Sequence, residues 1–371
     1  MMVSENRSRG VAVRRSGHAA AFFAKRGREA RRENLVHSQG ARVYKVRKRG
    51  FRNMSYFRSA RLPGSGAILC LFTVAFGLLA TGAARAQTAQ PLVDEKTLTR
   101  VSEHVYALAG WPNVGIVVGS RGTLVIDTGL GARNGATVVR VVQRLAKGPN
   151  LYLTTTHYHS EHTTGEQAFP PNTVLIRPTV QQQELIQRLP AHMARFREMS
   201  QQNKDLLADV KLRTPDILFD GLFDGEMKLD LGGVTARLFC LGPAHTQGDM
   251  LIFVEEDSVL IPGDIVESRL FPIMPEEATM KGWIAVLDKL EPLKPRLIVP
   301  DHGELGDGSL IAKQRAMLQE LQGRALELKR EGKSAEEAGK LLTAELHAKH
   351  PDYAQVERIA ADVKLVYAEA Q

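Results

Sequence analysis

His157-Tyr158-His159-Ser160-Glu161-His162 puts three imidazoles and a carboxylate into six residues. It directly follows Leu151-Tyr152-Leu153-Thr154-Thr155, which reads as a strand. A loop at the end of a strand can bring several side chains to one point. In an extended stretch His157 and His159 face the same side, because the side-chain period is two. Imidazole and carboxylate are the ligands of catalytic zinc and iron sites. Nine of the 11 histidines follow residue 86, and three of those nine stand here, so incidental clustering in a polar surface loop is the weaker reading.

Three isolated residues share that context. His245 stands in Leu241-Gly242-Pro243-Ala244-His245-Thr246, after an expected strand over 234–241. Asp264 stands in Ile261-Pro262-Gly263-Asp264, after a strand over 258–262. His302 stands in Val299-Pro300-Asp301-His302-Gly303, after a strand over 296–299. Taken singly each reads as a loop residue. Taken with the cluster, they supply the ligands that a two-metal site still lacks.

Outward from these points the chain alternates strand and helix. Short strands are expected at 104–109, 114–119, 123–127, 151–155 and 174–176, then at 216–219, 226–231, 234–241, 250–255, 258–262 and 296–299. Helices are expected at 134–146, within 180–212 with Pro190 interrupting or capping them, and at 281–291, 309–331, 334–349 and 353–369. Each of two blocks opens with strands and closes with strand, loop and helix, which predicts a layered α/β domain with sheets inside and helices outside. Met193, Phe196 and Met199 either line an apolar substrate pocket or pack on a sheet edge. Trp111 and Pro112 form either a flap over the site or a plain turn.

From about Thr97 to Val299 and His302 the chain resembles the metallo-β-lactamase superfamily. The shared order is a strand ending in Asp127, the histidine cluster, then a lone His, a lone Asp and a lone His. The resemblance implies an α/β fold, the αββα four-layer sandwich. It implies that His157, His159 and His245 bind a first metal, that Glu161, His162 and His302 bind a second, and that Asp264 bridges them. Asp127 corresponds to a buried aspartate that orients site residues without touching metal. The cofactor implied is Zn2+, two per chain, with one ion or another divalent metal as the alternative. Two such cations lower the pKa of a shared water. The expected chemistry is attack of that hydroxide on the carbonyl of an ester, lactone, thioester or β-lactam, with Asp264 and Glu161 as catalytic residues.

Glu161 stands where the family has Asp. Its extra methylene leaves three roles open: a ligand with shifted geometry, a weak second site, or a base acting through water. Asp264 matters for substrate. The established β-lactamases carry Cys or Ser at the bridging position, whereas an Asp is similar to glyoxalase II and the lactonases. No Gly-x-Ser-x-Gly elbow occurs, and Cys240, within an apolar strand, reads as a core residue rather than a nucleophile.

Charge is split along the chain. Residues 1–86 hold 18 of the 49 Lys and Arg and 3 of the 41 Asp and Glu, so the remainder carries 31 basic against 38 acidic residues. The net charge of +8 therefore belongs to the N-terminal stretch, and the mildly acidic body argues for a small-molecule substrate and against nucleic acid. Residues 67–80 are apolar and uncharged, with Arg58 and Arg61 before them and Ala84-Arg85-Ala86 after them, the order of a secretory signal. A membrane span needs ~20 apolar residues. The expectation is a signal peptide over 54–86, cleaved near Ala86 to give a periplasmic or secreted protein without a stable membrane anchor; an uncleaved anchor is the alternative. Residues 1–53 read as an over-extended start before Met54 or as a disordered basic arm. Residues 87–308 form the catalytic domain, with helices over 309–371 packed on it or making a dimer contact; the oligomeric state is open.

Two rival functions remain at this level. One is a non-catalytic metal-binding protein of the same fold. The other is an iron-dependent redox enzyme, disfavoured because no Gly-rich flavin or dinucleotide fingerprint is present.

Overall fold

The computed structural model describes residues 92–221 and 225–370. All of them belong to one compact unit, Ala80–Gln371. The expected signal peptide and the basic arm lie outside the described residues.

Two sheets face each other. The first has seven strands in sequence order: β1 (Leu98–Arg100), β2 (Val105–Leu108), β3 (Val114–Val118), β4 (Gly122–Ile126), β5 (Asn150–Thr154), β6 (Val174–Pro178) and β7 (Ile217–Phe219). It is antiparallel from β1 to β4 and parallel from β4 to β7. The second holds β8 (Glu226–Asp230), β9 (Thr235–Phe239), β10 (Leu251–Val254), β11 (Val259–Ile261), β12 (Leu297–Ile298) and β13 (Gly306–Asp307), ordered from β13 back to β8. Only its β11–β12 pairing is parallel.

The period of two along each strand builds the layers. Val117, Leu124 and Ile126 point between the sheets and meet Leu238, Ile252 and Ile261. Their neighbours Ile116, Val118 and Val125 point outward onto α1 (Gly131–Leu145), through Val138, Val141 and Val142. Leu251, Leu260 and Ile298 point the other way, onto the second helical layer. That layer contains α5 (Met280–Leu290), α6 (Ser309–Arg330), α7 (Ala335–Lys349) and α8 (Ile359–Glu369). The result is the expected α/β, αββα sandwich. Strands buried on both faces must be apolar throughout, and Val114–Val118 and Gly122–Ile126 are buried at every position.

Local differences from the sequence reading have physical causes. Pro190 neither interrupts nor caps a helix; it stands inside one continuous helix, α3 (Thr179–Met199), which is followed by α4 (Gln201–Leu206). Leu185 and Leu189, beside the proline, are buried against Tyr158, and that packing offsets the lost backbone hydrogen bond. The histidine loop contains a helical turn, α2 (Ser160–Thr163). The last helix starts at Ile359 after a 3-10 turn over Val356–Arg358, not at 353. Among the described residues no helix is long and apolar enough to cross a membrane.

Candidate metal centre

All seven expected ligands arrive at one place, each from the carboxyl end of a strand. His157 and His159 follow β5, and Glu161 and His162 ride on α2. His245 follows β9, Asp264 follows β11 and His302 follows β12. Two backbone features make the turn possible. Asp127 ends β4 in the left-handed region at φ 68°, a conformation that Asp tolerates better than most residues. Gly263 has φ 62°, and a Cβ there would lie 2.9 Å from that of Thr156. Only glycine lets the Asp264 turn sit against the strand that carries the histidines.

Asp264 is the hub. One carboxylate oxygen lies 3.4 Å from His245 Nε2, 3.6 Å from His157 Nε2 and 3.8 Å from His162 Nε2, and the other lies 3.4 Å from His302 Nε2. Ligand-capable atoms of His157, His159, His245 and Asp264 all fall within 4.8 Å of one another, and so do those of Glu161, His162 and His302. These are the two groups expected from the sequence, with Asp264 between them. His157, His162, Asp264 and Asp301 form a third such group.

The ligand-side atoms lack protein partners. His157 Nε2, His159 Nε2, Glu161 Oε2, His162 Nε2 and Asp264 Oδ1 are buried and accept or donate no hydrogen bond. His159 Nδ1 faces His245 Nε2 at 3.3 Å, two ring nitrogens pointed at each other. Buried polar atoms are nearly always satisfied. A convergent set left unsatisfied, made of imidazole and carboxylate, fits divalent cations.

Charge follows the same logic. Burial and the neighbouring imidazoles hold His157 and His159 well below the usual histidine range. Burial also lowers His245, to about 4. Such rings are neutral at neutral pH and offer lone pairs. His162 goes the other way: burial lowers it, but Asp127 and Asp264 outweigh burial and raise it well above its ordinary value. Burial would raise Asp264, but His302 and His162 prevail and lower it. Burial raises Glu161.

Asp127 touches no other expected ligand than His162, whose Nδ1 it meets at 2.9 Å. It also accepts from the Thr156 amide at 2.8 Å and from the Thr156 hydroxyl at 2.9 Å. Sequence reasoning missed Asp301, although it adjoins His302. Its carboxyl lies 2.8 Å from the Thr156 hydroxyl and 3.3 Å from His162 Nδ1. One hydroxyl proton cannot serve two carboxylates. Burial and the adjacent Asp127 push Asp301 well up, which favours its protonated form.

His192 was also missed. It sits on α3, is buried, and stacks on His159 with centroids 4.1 Å apart and planes 10° apart. Its Nδ1 accepts from the Ser160 amide at 3.2 Å, which leaves its proton on Nε2. Burial lowers it to about 3. The available signal was its place in the helical stretch 180–212, next to Met193 and one turn before Phe196, two residues read as possible pocket lining. Trp111 stacks on His302 at 3.8 Å, and both line the cavity above the cluster. Phe196 and Met199 line it as well, whereas Met193 packs into the core with Leu206 and Tyr158. Cys240 is buried, and burial pushes its thiol up to about 12, so it is a core residue and not a thiolate.

The sequence profile of the metallo-β-lactamase superfamily matches residues 110–302, which spans β3 through the last expected ligand. The chain belongs to the metallo-β-lactamase superfamily. This is a family of metal-dependent hydrolases, and the His/Asp cluster is able to hold metal. Among solved structures, the chain is similar to a metallo-β-lactamase from Pontibacter korlensis at 19% identity, covering 61% of this chain and 99% of that one with a TM-score of 0.47. It is similar at 18% identity to the sec-alkylsulfatase Pisa1 from Pseudomonas sp., covering 73% of this chain with a TM-score of 0.55. A double mutant of the sec-alkyl sulfatase PisA1 aligns over 74% of this chain, at 18% identity and a TM-score of 0.58. The chain spans about half the length of these alkylsulfatases, 50% in each case.

Proposed function

We propose that this superfamily member is an exported hydrolase that holds two zinc ions and cleaves an ester, lactone, thioester or β-lactam carbonyl. The observation that carries the reading is the convergence of six buried side chains on Asp264, with ligand-side atoms of His157, His159, Glu161, His162 and Asp264 left without a hydrogen-bond partner. His157, His159 and His245 would hold one ion, and Glu161, His162 and His302 the other. Asp264 has an oxygen toward each group. When bound, the cations supply Lewis acidity, which activates water and polarises a carbonyl.

The protein's own part is positioning. Asp127 accepts a hydrogen bond from His162 Nδ1–H and so aims Nε2 into the centre. Thr156 ties Asp127 to Asp301 and fixes that orientation. Glu161, longer than the family's Asp, keeps Oε2 free and buried, and acts as a ligand in this reading. Export rests on the apolar run over 67–80 and on Ala84-Arg85-Ala86.

The test is hydrolysis of an ester, a lactone, a thioester and a chromogenic cephalosporin by the purified protein before and after chelation. Turnover of at least one that is lost on chelation and restored by zinc is the expected result. Turnover of none by the zinc-loaded protein sinks the hydrolase. Glu161 favours one second reading, a metal-binding protein without catalysis, which requires tight metal and no turnover of any of them.

A further inference from the structure

The cavity above the cluster has a volume of about 530 Å³, within the ordinary range for small-molecule sites. One side of it is apolar: Trp111, Leu130, Phe196, Met199 and Ile273 all line it. Met199 is 58% exposed and stands on that wall. Two guanidinium groups line the same cavity. Arg195 projects from α3, and Arg358 from the turn before α8, outside the residues matched by the family profile.

Neither guanidinium has a carboxylate within ion-pair distance or a side-chain hydrogen bond among the described residues. Arg358 Nε is buried without a partner. Several other arginines of the described chain are paired with carboxylates: Arg177 with Glu166, Arg140 and Arg144 with Glu95, and Arg315 with Asp288 and Glu291. Glu276 and Glu277 share an adjoining cavity with Arg195 but make no ion pair with it, and Glu277 pairs with Arg188 instead. Glu161 and Asp264 belong to the cluster, and Glu357 is exposed on the wall. Asp362, one turn beyond Arg358, accepts from the Met274 amide at 3.2 Å through one oxygen; its other oxygen is buried without a partner, and Arg358 acts on it through space without reaching ion-pair distance. His192 lines the cavity between the cluster and Arg195 in the chain and adds a neutral N–H.

A planar guanidinium fork matches the oxygens of a carboxylate, sulfate, sulfonate or phosphate. A buried unpaired N–H costs free energy that a ligand oxygen would recover. We propose that Arg195 and Arg358 form an oxyanion subsite, and that the molecule acted on is an amphiphilic anion with its apolar body against Trp111, Phe196 and Met199. The inference rests on the hydrolase reading only for the word substrate; the subsite itself is a binding property.

The test is therefore read without turnover. Titration calorimetry of the zinc-loaded protein compares 1-octanesulfonate, which carries both the anion and the chain, with octanamide and with methanesulfonate. The expected order is octanesulfonate at least about tenfold tighter than either. Arg195→Ala and Arg358→Ala each weaken octanesulfonate about tenfold and leave octanamide unchanged, while Arg195→Lys and Arg358→Lys keep the charge but lose the fork and recover only part of that affinity. Arg195 is exposed, so its alanine variant folds and keeps the test decisive even if Arg358→Ala does not. Equal affinity for the sulfonate and the amide overturns the subsite, and so does Arg195→Ala with wild-type sulfonate affinity. A protein that binds octanesulfonate in this pattern but hydrolyses no ester, lactone, thioester or cephalosporin overturns the hydrolase and leaves the subsite standing.

Discussion

Glu161 is the residue on which the chemistry of the second metal turns. Its Oε2 is buried and free, in a group with His162 and His302. Glu161→Asp shortens the arm by one methylene and restores the residue usual in the family. We expect the second metal to stay at full occupancy or bind more tightly, as read by metal analysis after dialysis; unchanged metal with a collapsed rate would instead make Glu161 a base. His159→Ala removes a ligand outright. The expected outcome is loss of one metal per chain and of turnover by more than about a hundredfold, since even outer partners of ligands are worth 10–100-fold. His192 makes a third prediction at this scale. It titrates at about 3 in the folded chain against 6.5 unfolded, so both states are neutral above pH 6.5. As pH falls below 6.5, the unfolded chain takes up a proton that the folded chain refuses, and stability drops. Between pH 6.5 and about pH 5 the loss is about 2 kcal/mol. His192→Gln, measured by denaturant unfolding at both values, is expected to flatten that acid limb; an unchanged limb would contradict the assignment.

The elements that deliver these residues are held by buried pairs as well as by apolar packing. Arg177 on β6 is fully buried and reaches Glu166 at 2.7 Å and Gln182 at 2.7 Å. Glu166 in turn accepts from the Arg213 amide, which ties the segment before β7 to the turn after the histidine loop. Arg177→Met leaves the Glu166 carboxylate buried without its cation. We expect a loss of about 3–5 kcal/mol in urea unfolding, with the metal ligands themselves untouched. The strands over 114–118 and 122–126 were legible because continuous apolar runs bounded by turn residues have few other readings. β1 and β13 were not legible, because strands of three and two residues carry too little periodic signal. Pro190 misled because a proline argues against a helix interior locally, whereas burial of Leu185 and Leu189 is a tertiary effect.

At the scale of the molecule, the sandwich puts the carboxyl ends of β5, β9, β11 and β12 at one edge. Ligands more than 140 positions apart in the chain thereby share one centre, His157 and His302 among them. The ligand set was legible from sequence because four members crowd into six residues after one apolar run, and the three isolated members each follow another apolar run with Gly or Pro close by, in an order that resembles one superfamily. Asp301, His192, Arg195 and Arg358 were not, because their part depends on which helix covers the cavity and which side chains remain unpaired. The measurement that bears most directly on the central claim is metal content per chain, set beside hydrolysis before and after chelation. Two divalent ions per chain, with turnover of an ester, lactone, thioester or cephalosporin that chelation abolishes and zinc restores, is the predicted result. Trace metal only, or turnover that survives complete chelation, would contradict it.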